Sequence, residues 1–411
     1  MEFELTEPQR QLADALHNLG KFVIRPMSLE MDRTHQVPEA FLKQFMMLAS
    51  SLRSDDVASA MGDAASAKRA PPTRDKPSQQ NRTALVGAEW LAWADASLVL
   101  CMPGVGLGGP PIRATGTPEQ KQKYFGMIEE VINAGGLAWG AYGLTEPGAG
   151  SDVSAIRSSC RKDGDHWVIN GRKCYITNGA RASWVVVFAT MNPELGRAGH
   201  RAFVVEKGTP GFSVGKIEDK IGLRASETAE LVFEDCRVPA ENLLGGEEAY
   251  GGTSAGFQTA MKTFDATRPL VAVMALGIGR AAFEYARDFV KERYVLTRPI
   301  PRYHVLADRL ARMHRRLEAA RMLTWKAAYL ADTGQPNAKE ASMCKAAAAQ
   351  AAVTACFEAI EICGAEGTLQ SEHQLLEKWF RDIKVYDIFE GTGQIQRVVI
   401  SKRMFPDLRA F

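Results

Sequence analysis

At 411 residues with 46% hydrophobic side chains, the chain is long enough to bury a large core and to divide into two or three units. Fifty basic residues against 48 acidic ones leave a net charge of +2, too even a balance for a protein that neutralises phosphate backbones, so nucleic acid is set aside as a partner. Seven cysteines without a Cys-x-x-Cys pair and seven histidines without ligand spacing argue against a disulfide scaffold and a metal site, and predict reduced, buried thiols.

The segment Met1-Glu2-Phe3-Glu4-Leu5 is acidic, with no apolar run behind a basic start, and no stretch reads as a membrane span of about 20 apolar residues; the expectation is a cytoplasmic protein. From Thr6 to Met47 apolar residues recur at helical spacing (Leu12, Leu16, Leu19, Phe22, Val23, then Phe41, Leu42, Phe45, Leu48), interrupted at Pro26 and Pro38. Ser51 to Arg82 is rich in Ser, Ala, Asp, Lys and Pro and predicts a mobile surface loop, the first place a protease should cut. Helical pattern resumes from Thr83 to Leu100, and Thr117-Pro118-Glu119-Gln120 reads as a helix cap, closing a helical first domain over residues 1–138.

The period then changes to two. His166 to Gly179 predicts two strands across an Asn170-Gly171 turn, and Trp184–Ala189, Arg201–Glu206, Phe212–Val214 and Glu230–Glu234 follow as short strands, giving a small β-barrel or sandwich over 139–247. Four long helical patterns take over in 253–411: Phe264–Arg293, Val305–Asp332, Lys339–Cys363 and Leu375–Arg403, a four-helix bundle. The fold class is therefore α+β, with helical domains on either side of a β-domain. The Ala346–Ala352 run predicts a close helix contact.

Five segments could carry chemistry. Gly104-Val105-Gly106-Leu107-Gly108-Gly109 matches a dinucleotide-binding fingerprint by letter, but Pro110-Pro111 follows and no βαβ pattern surrounds it, so it reads as a glycine-rich linker. Thr145 to Asp152 is a loop of small residues that is either a plain strand-entry turn or a place where backbone amides approach a planar or phosphorylated ligand. Phe264-Asp265-Ala266-Thr267-Arg268-Pro269 reads as a helix start. Arg293, Arg298, Arg302, Arg309, Arg312, Arg315, Arg316 and Arg321 read as a solvated basic face. Glu390, ahead of Gly391-Thr392-Gly393, is a lone carboxylate on a turn between helical stretches, either a solvated helix-end residue or a base aimed at a ligand.

Two of these strings, Tyr142-Gly143-Leu144-Thr145-Glu146-Pro147-Gly148-Ala149-Gly150-Ser151-Asp152-Val153 and Phe389-Glu390-Gly391-Thr392-Gly393-Gln394-Ile395-Gln396-Arg397, together resemble paired signatures of the acyl-CoA dehydrogenase family, and the resemblance runs from about Thr117 to Arg403. It implies FAD-dependent α,β-dehydrogenation of an acyl-CoA thioester, with Glu390 as the base and flavin N5 taking the hydride. It implies flavin contacts at Tyr142, Leu144, Thr145, Gly150 and Ser151, with Tyr175 and Thr177 completing the wall. It implies acyl-CoA contacts at Ser151, Asp265, Arg268, Phe389, Gly391 and Arg397. Arg293, Glu361 and Gly364, with Thr392 and Gln394, would reach a cofactor shared across a subunit interface. One branch of the family carries its base where Thr267 stands, and since threonine cannot serve, Glu390 is the candidate. An electron-transfer flavoprotein is the implied acceptor and a homotetramer the implied assembly.

The sequence departs from the pattern in three places. Tyr175 replaces a Trp found in many relatives. Tyr294-Val295-Leu296-Thr297 lacks the Phe and Gly expected after Arg293, and Glu361 puts negative charge where a pyrophosphate is expected, which would oppose binding. These departures keep open a non-catalytic subunit of a mixed tetramer, and the shared fold keeps open a flavin-dependent oxygenase.

Overall fold

The computed structural model describes residues 3–51, 73, 75, 77–250, 255–295, 298–299 and 302–405. Most of the loop expected from Ser51 to Arg82 lies outside the described residues. Its last residues correct that expectation: Gln80–Arg82 open a helix, and the Arg82 guanidinium is buried against Asp332, with Nε 3.0 Å from Oδ2.

The N-terminal helices are α1 (Glu7–Leu19), α2 (Arg25–Thr34), α3 (Glu39–Ser51), α4 (Gln80–Cys101), α5 (Gly109–Thr115) and α6 (Pro118–Asn133). Between α1 and α2 the chain makes a π turn, Gly20–Ile24, which rephases the helical pattern. Ile24 is buried, whereas Phe22, expected on the apolar face, is 67% exposed. Helix α4 breaks at Asp95 (φ −157°, ψ 118°), whose Oδ1 accepts the N–H of Ser97 at 2.8 Å and of Leu98 at 3.1 Å, so the carboxylate restarts the helix as a cap would. The cap expected at Thr117 is formed: its hydroxyl accepts the Gln120 N–H at 3.2 Å, and Gln120 Oε1 accepts the Thr117 N–H at 3.1 Å. The apolar Leu98–Leu100 lies in α4, so no strand precedes the glycine run. A short helix does follow it, α5, with its prolines in the first turn.

The middle of the chain is one curled seven-stranded sheet: β1 (Gly140–Gly143), β2 (Ser159–Asp163), β3 (His166–Thr177), β4 (Trp184–Thr190), β5 (His200–Glu206), β6 (Phe212–Ile217) and β7 (Thr228–Pro239). The order is β1-β4-β2-β3-β7-β6, with β5 also on β4. The expected hairpin at Asn170-Gly171 is not there. Strand β3 runs straight through, with a bulge against β7 between Ile169 and Gly171. The turn lies instead at Gly164 (φ 62°), where Asp163 pairs with His166. Gly171 (φ 145°) has a different duty, since a Cβ there would collide with Ser158. Strands β1 and β2 escape the sequence reading because they are short and rich in glycine or charge.

The C-terminal part comprises α7 (Ala255–Glu292), α8 (His304–Asp332), α9 (Ala338–Cys363), α10 (Gln374–Ile388) and α11 (Gly393–Met404). Two expectations are corrected here. Phe264–Pro269 is not a helix start but lies inside α7, and the single helix expected over Leu375–Arg403 is two, broken at Glu390 (φ 53°) and Gly391 (φ 91°). The alanine run does make a close contact: a Cβ on Gly279 would lie 2.8 Å from that of Ala352. A third correction concerns apolar length. Gln80–Cys101, Thr267–Glu292 and Ala338–Thr368 are long and apolar enough to cross a membrane, but their apolar windows are 67%, 72% and 56% buried inside the protein. Their hydrophobicity comes from packing α4 and α9 on both sides of α7.

Candidate active site

The break between α10 and α11 sets the geometry. Left-handed backbone at a non-glycine residue costs about 1–2 kcal/mol, so it persists only where surrounding bonds hold it. At Glu390 they do. Lys345 Nζ, from α9, donates to the carbonyls of Gly391 (2.7 Å) and Asp387 (3.2 Å), and Gln396 Nε2 donates to those of Gly391 (2.9 Å) and Glu390 (3.3 Å). Thr392 then caps α11, its hydroxyl accepting the Ile395 N–H at 3.3 Å. The turn drives the Glu390 side chain toward α7, where Thr267 Oγ1 donates to Oε2 at 2.6 Å. No acceptor among the described residues takes the Glu390 backbone N–H.

Burial pushes the Glu390 carboxyl above its ordinary value; the Thr267 hydrogen bond and the charges of Arg268 and Lys345 pull the other way without cancelling it. Arg268 is 5% exposed, with Nη1 3.4 Å from Ser342 Oγ and its guanidinium beside the Phe264 ring. It therefore sits inside the bundle, close enough to Glu390 for its charge to act on that carboxyl. Burial lowers Lys345 to about 8. The side chain of Asp265 lies outside the described residues. Phe389 is half-buried, its ring edge-on to Tyr386 at 5.0 Å.

Facing this turn is the rim of the sheet. Tyr142, on β1, is buried against Phe188 and Phe264, and its hydroxyl has no hydrogen-bond partner among the described residues. Burial and the nearby Glu390 charge both raise it. Leu144 is buried in the core, and its carbonyl already accepts Lys173 Nζ at 3.2 Å. Beyond it, Glu146 anchors the loop. Its carboxylate accepts Lys173 Nζ at 2.6 Å and the N–H groups of Arg157 (2.6 Å) and Ser158 (2.9 Å), the lysine and Ser158 bonds buried and the Arg157 bond partly so. Burial alone would raise Glu146, but the Lys173 charge and these bonds outweigh it and leave it lowered. Pro147, Gly148, Gly150 and Ser151 stay exposed on the anchored loop. Thr145 is bound to β3 through the Cys174 N–H at 2.9 Å, which brings it close to Tyr175 and Thr177. Tyr175 is 65% exposed on a bulge, with φ 60°.

The remaining expected residues lie elsewhere. Arg293, Glu361 and Gly364 cluster at the far end of the bundle. Residues 267 and 293 of α7 and its end are about 39 Å apart at 1.5 Å per residue, so one chain does not bring this cluster to Glu390. There Arg293 Nη2 meets Glu366 at 2.6 Å, and Glu366 lies 3.8 Å from His373 Nε2. Glu361 is paired with Arg309, which also holds Glu358 at 3.1 Å; this removes the objection that Glu361 presents uncompensated negative charge. Leu296 and Thr297 lie outside the described residues. Part of the basic face is paired as well: Arg312 meets Asp308, and Arg321 meets Glu89 and Glu318. Gln394 and Arg397 are exposed; Arg397 borders a groove of about 670 Å³ with Arg315 and Arg316.

Sequence reasoning missed Lys345 and Gln396, and took Thr267 only as a residue that cannot be a base. A polar residue inside an alanine-rich helix, as Lys345 is, was the available signal. Among the described residues no group of three or more His, Cys, Asp and Glu could hold a metal ion.

The sequence profile described as the acyl-CoA dehydrogenase middle domain matches residues 141–236, and that of the C-terminal domain matches 254–405. The chain is 37% identical over 409 residues to the short-chain specific acyl-CoA dehydrogenase of Clostridium acetobutylicum, covering 98% of this chain and all of the relative. The solved butyryl-CoA dehydrogenase of Megasphaera elsdenii superposes with a TM-score of 0.85 at 31% identity, covering 98% of this chain and 100% of that one. A chain from structural work on the electron transferring flavoprotein of Acidaminococcus fermentans matches with a TM-score of 0.82 at 34% identity, over 100% of both. Matched along almost its whole length in both sequence and fold, the chain belongs to the acyl-CoA dehydrogenase family of oxidoreductases.

Proposed function

We propose that this chain is an FAD-dependent acyl-CoA dehydrogenase in which Glu390 takes the α-proton of a bound acyl-CoA thioester. The observation that carries this is the Glu390 turn: a carboxylate held in left-handed backbone, bonded to Thr267, and made more basic by burial.

The residues present fit a flavin. The unpartnered Tyr142 hydroxyl, the exposed Tyr175 and a loop in which a Cβ on Gly148 or Gly150 would meet nothing within 4 Å suit a planar ring with polar edges. Thr145, Gly150, Ser151, Tyr175 and Thr177 would hold it from the sheet side. A flavin bound there supplies the acceptor for the β-hydrogen, which leaves as hydride. The chain's own part is to orient the thioester and move a proton. The carboxylate of Glu390 accepts the α-proton, while its N–H, which meets no acceptor among the described residues, is a donor suited to the thioester carbonyl, where charge develops. Substrate entering beside Glu390 excludes water and raises the base further.

Two of the relatives named above are a short-chain specific acyl-CoA dehydrogenase and a butyryl-CoA dehydrogenase, so butyryl-CoA is the first substrate to test. An electron-transfer flavoprotein is the proposed acceptor, and the Acidaminococcus match supports it. The test is Glu390→Gln. Purified protein should be yellow and bleach anaerobically with butyryl-CoA or a close homologue. The variant should bind flavin equally but bleach slower by a factor of about 10³ or more. Bleaching at the wild-type rate in the variant would end the assignment of the base.

A further inference from the structure

Three lysines are fully buried, and they divide into two kinds. Lys173 rests on Glu146, and Lys378 lies 2.6 Å from Asp382 and 3.0 Å from Asp95. Lys345 is different: among the described residues no carboxylate lies within ion-pair distance of it, and its hydrogen bonds go to two backbone carbonyls. Burying an ammonium without a close counter-ion is costly, so its retention calls for a use. The two carbonyls belong to Asp387 and Gly391, on either side of Glu390, and Gly391 itself has φ 91°.

We infer that Lys345 is a positioning residue, whose ammonium ties α9 to both flanks of the Glu390 turn and so holds the carboxylate at its working place beside Thr267. The inference rests on the proposed role of Glu390. Lys345 also supplies positive charge near that carboxylate. Among the described residues, the charged and titratable groups around Glu390 are Arg268 on α7, Lys345 on α9, Tyr386 on α10 and Tyr142 on β1, with Asp387 in turn near Lys345. Removing Lys345 should therefore do two separable things: loosen the turn, and make Glu390 harder to ionise.

Lys345→Met and Lys345→Gln in the full-length holoenzyme separate the two, since glutamine keeps a donor and loses the charge. For Lys345→Met, kcat with butyryl-CoA should fall about 10- to 100-fold with KM changed by less than about threefold, as for a displaced catalytic group. The acid limb of its kcat profile should move to higher pH. Lys345→Gln should recover much of kcat while keeping the displaced limb. Hydrogen exchange of the 388–396 amides is read on the same proteins and does not depend on turnover. It should quicken about tenfold or more in Lys345→Met and stay near wild type in Lys345→Gln. Unchanged exchange in Lys345→Met, or a loss of kcat in both variants with the limb unmoved, overturns the inference. A wild type inert toward acyl-CoA thioesters, with exchange behaving as expected, instead overturns the dehydrogenase reading and leaves Lys345 as the clamp of the turn.

Discussion

A carboxylate that is to take a proton from carbon must be more basic than an exposed glutamate, yet still ionised when substrate arrives. Glu390 meets both demands through opposed effects: burial raises it, and the Thr267 hydroxyl with the Arg268 and Lys345 charges restrains the rise. The sign of its linkage follows. Because the folded value lies above the ordinary 4.5, holding Glu390 ionised costs stability; that cost builds as pH rises from about 4.5 to the folded value and stays constant above it. Glu390→Gln should therefore lose activity without losing melting temperature at neutral pH. Thr267 offers a finer test. Its hydroxyl bonds to the ionised form at 2.6 Å, so Thr267→Val should raise Glu390 further and shift the acid limb of kcat to higher pH, with kcat at neutral pH down about tenfold. Thr267→Ser should restore the limb. A valine variant whose pH profile overlays the wild type would remove Thr267 from the account.

At the scale of elements, the loop carrying Gly148, Gly150 and Ser151 is held by one buried ion pair rather than by regular structure. Lys173 on β3 reaches Glu146, which also takes the N–H groups of Arg157 and Ser158 and so closes the loop at both ends. Removing one partner of such a pair strands the other charge in the interior, so Lys173→Met should cost about 3–5 kcal/mol, seen in thermal or urea unfolding, together with weaker flavin retention. Glu146 is lowered, so the pair's contribution is present above the ordinary value of 4.5 and fades as pH falls through the folded one. A variant with wild-type stability would show that water or another donor satisfies Glu146. This pair also marks where the sequence ceases to be readable. The loop and the Glu390 turn announce themselves because glycine frees the backbone and proline fixes it, both local effects. The partners Thr267 and Lys345 do not, because they sit in ordinary helices and meet Glu390 only through packing, Thr267 across 123 residues of sequence. Asn170-Gly171 misleads for a related reason: Gly171 is there to admit Ser158, a contact that no local pattern encodes. The π turn at Gly20–Ile24 likewise moves Phe22 outward although its spacing is that of a core residue.

For the whole molecule, two features bear on assembly. Within one chain, Asp95 of α4, Lys378 and Asp382 of α10, and the Leu223 N–H on the sheet side, 2.6 Å from Asp382, meet in a single buried cluster that ties all three parts together. The proposed cofactor contacts, by contrast, are divided between the Glu390 end of the bundle and the Arg293, Glu361 and Gly364 end, about 39 Å along α7. If both sets serve flavin sites, each site takes one set from its own chain and the other from a second copy, as expected for a dimer or a tetramer built of two dimers. Arg293 already pairs with Glu366, and Arg309 with Glu361, so this end presents compensated charge and would give up an existing ion pair to meet a pyrophosphate. Flavin bound in this way should be held less tightly than at a site with free arginines, and its loss should be linked to dissociation, since whatever binds only the assembled form stabilises it by mass action. Light scattering and flavin fluorescence followed together through a dilution series should therefore give one shared midpoint, and added FAD should move it to lower protein concentration. Glu366→Gln, which frees Arg293, should move it the same way. A monomer that keeps its flavin across the series would show that a single chain completes the site, and uptake of FAD only after addition of a related chain would assign this protein to a mixed tetramer.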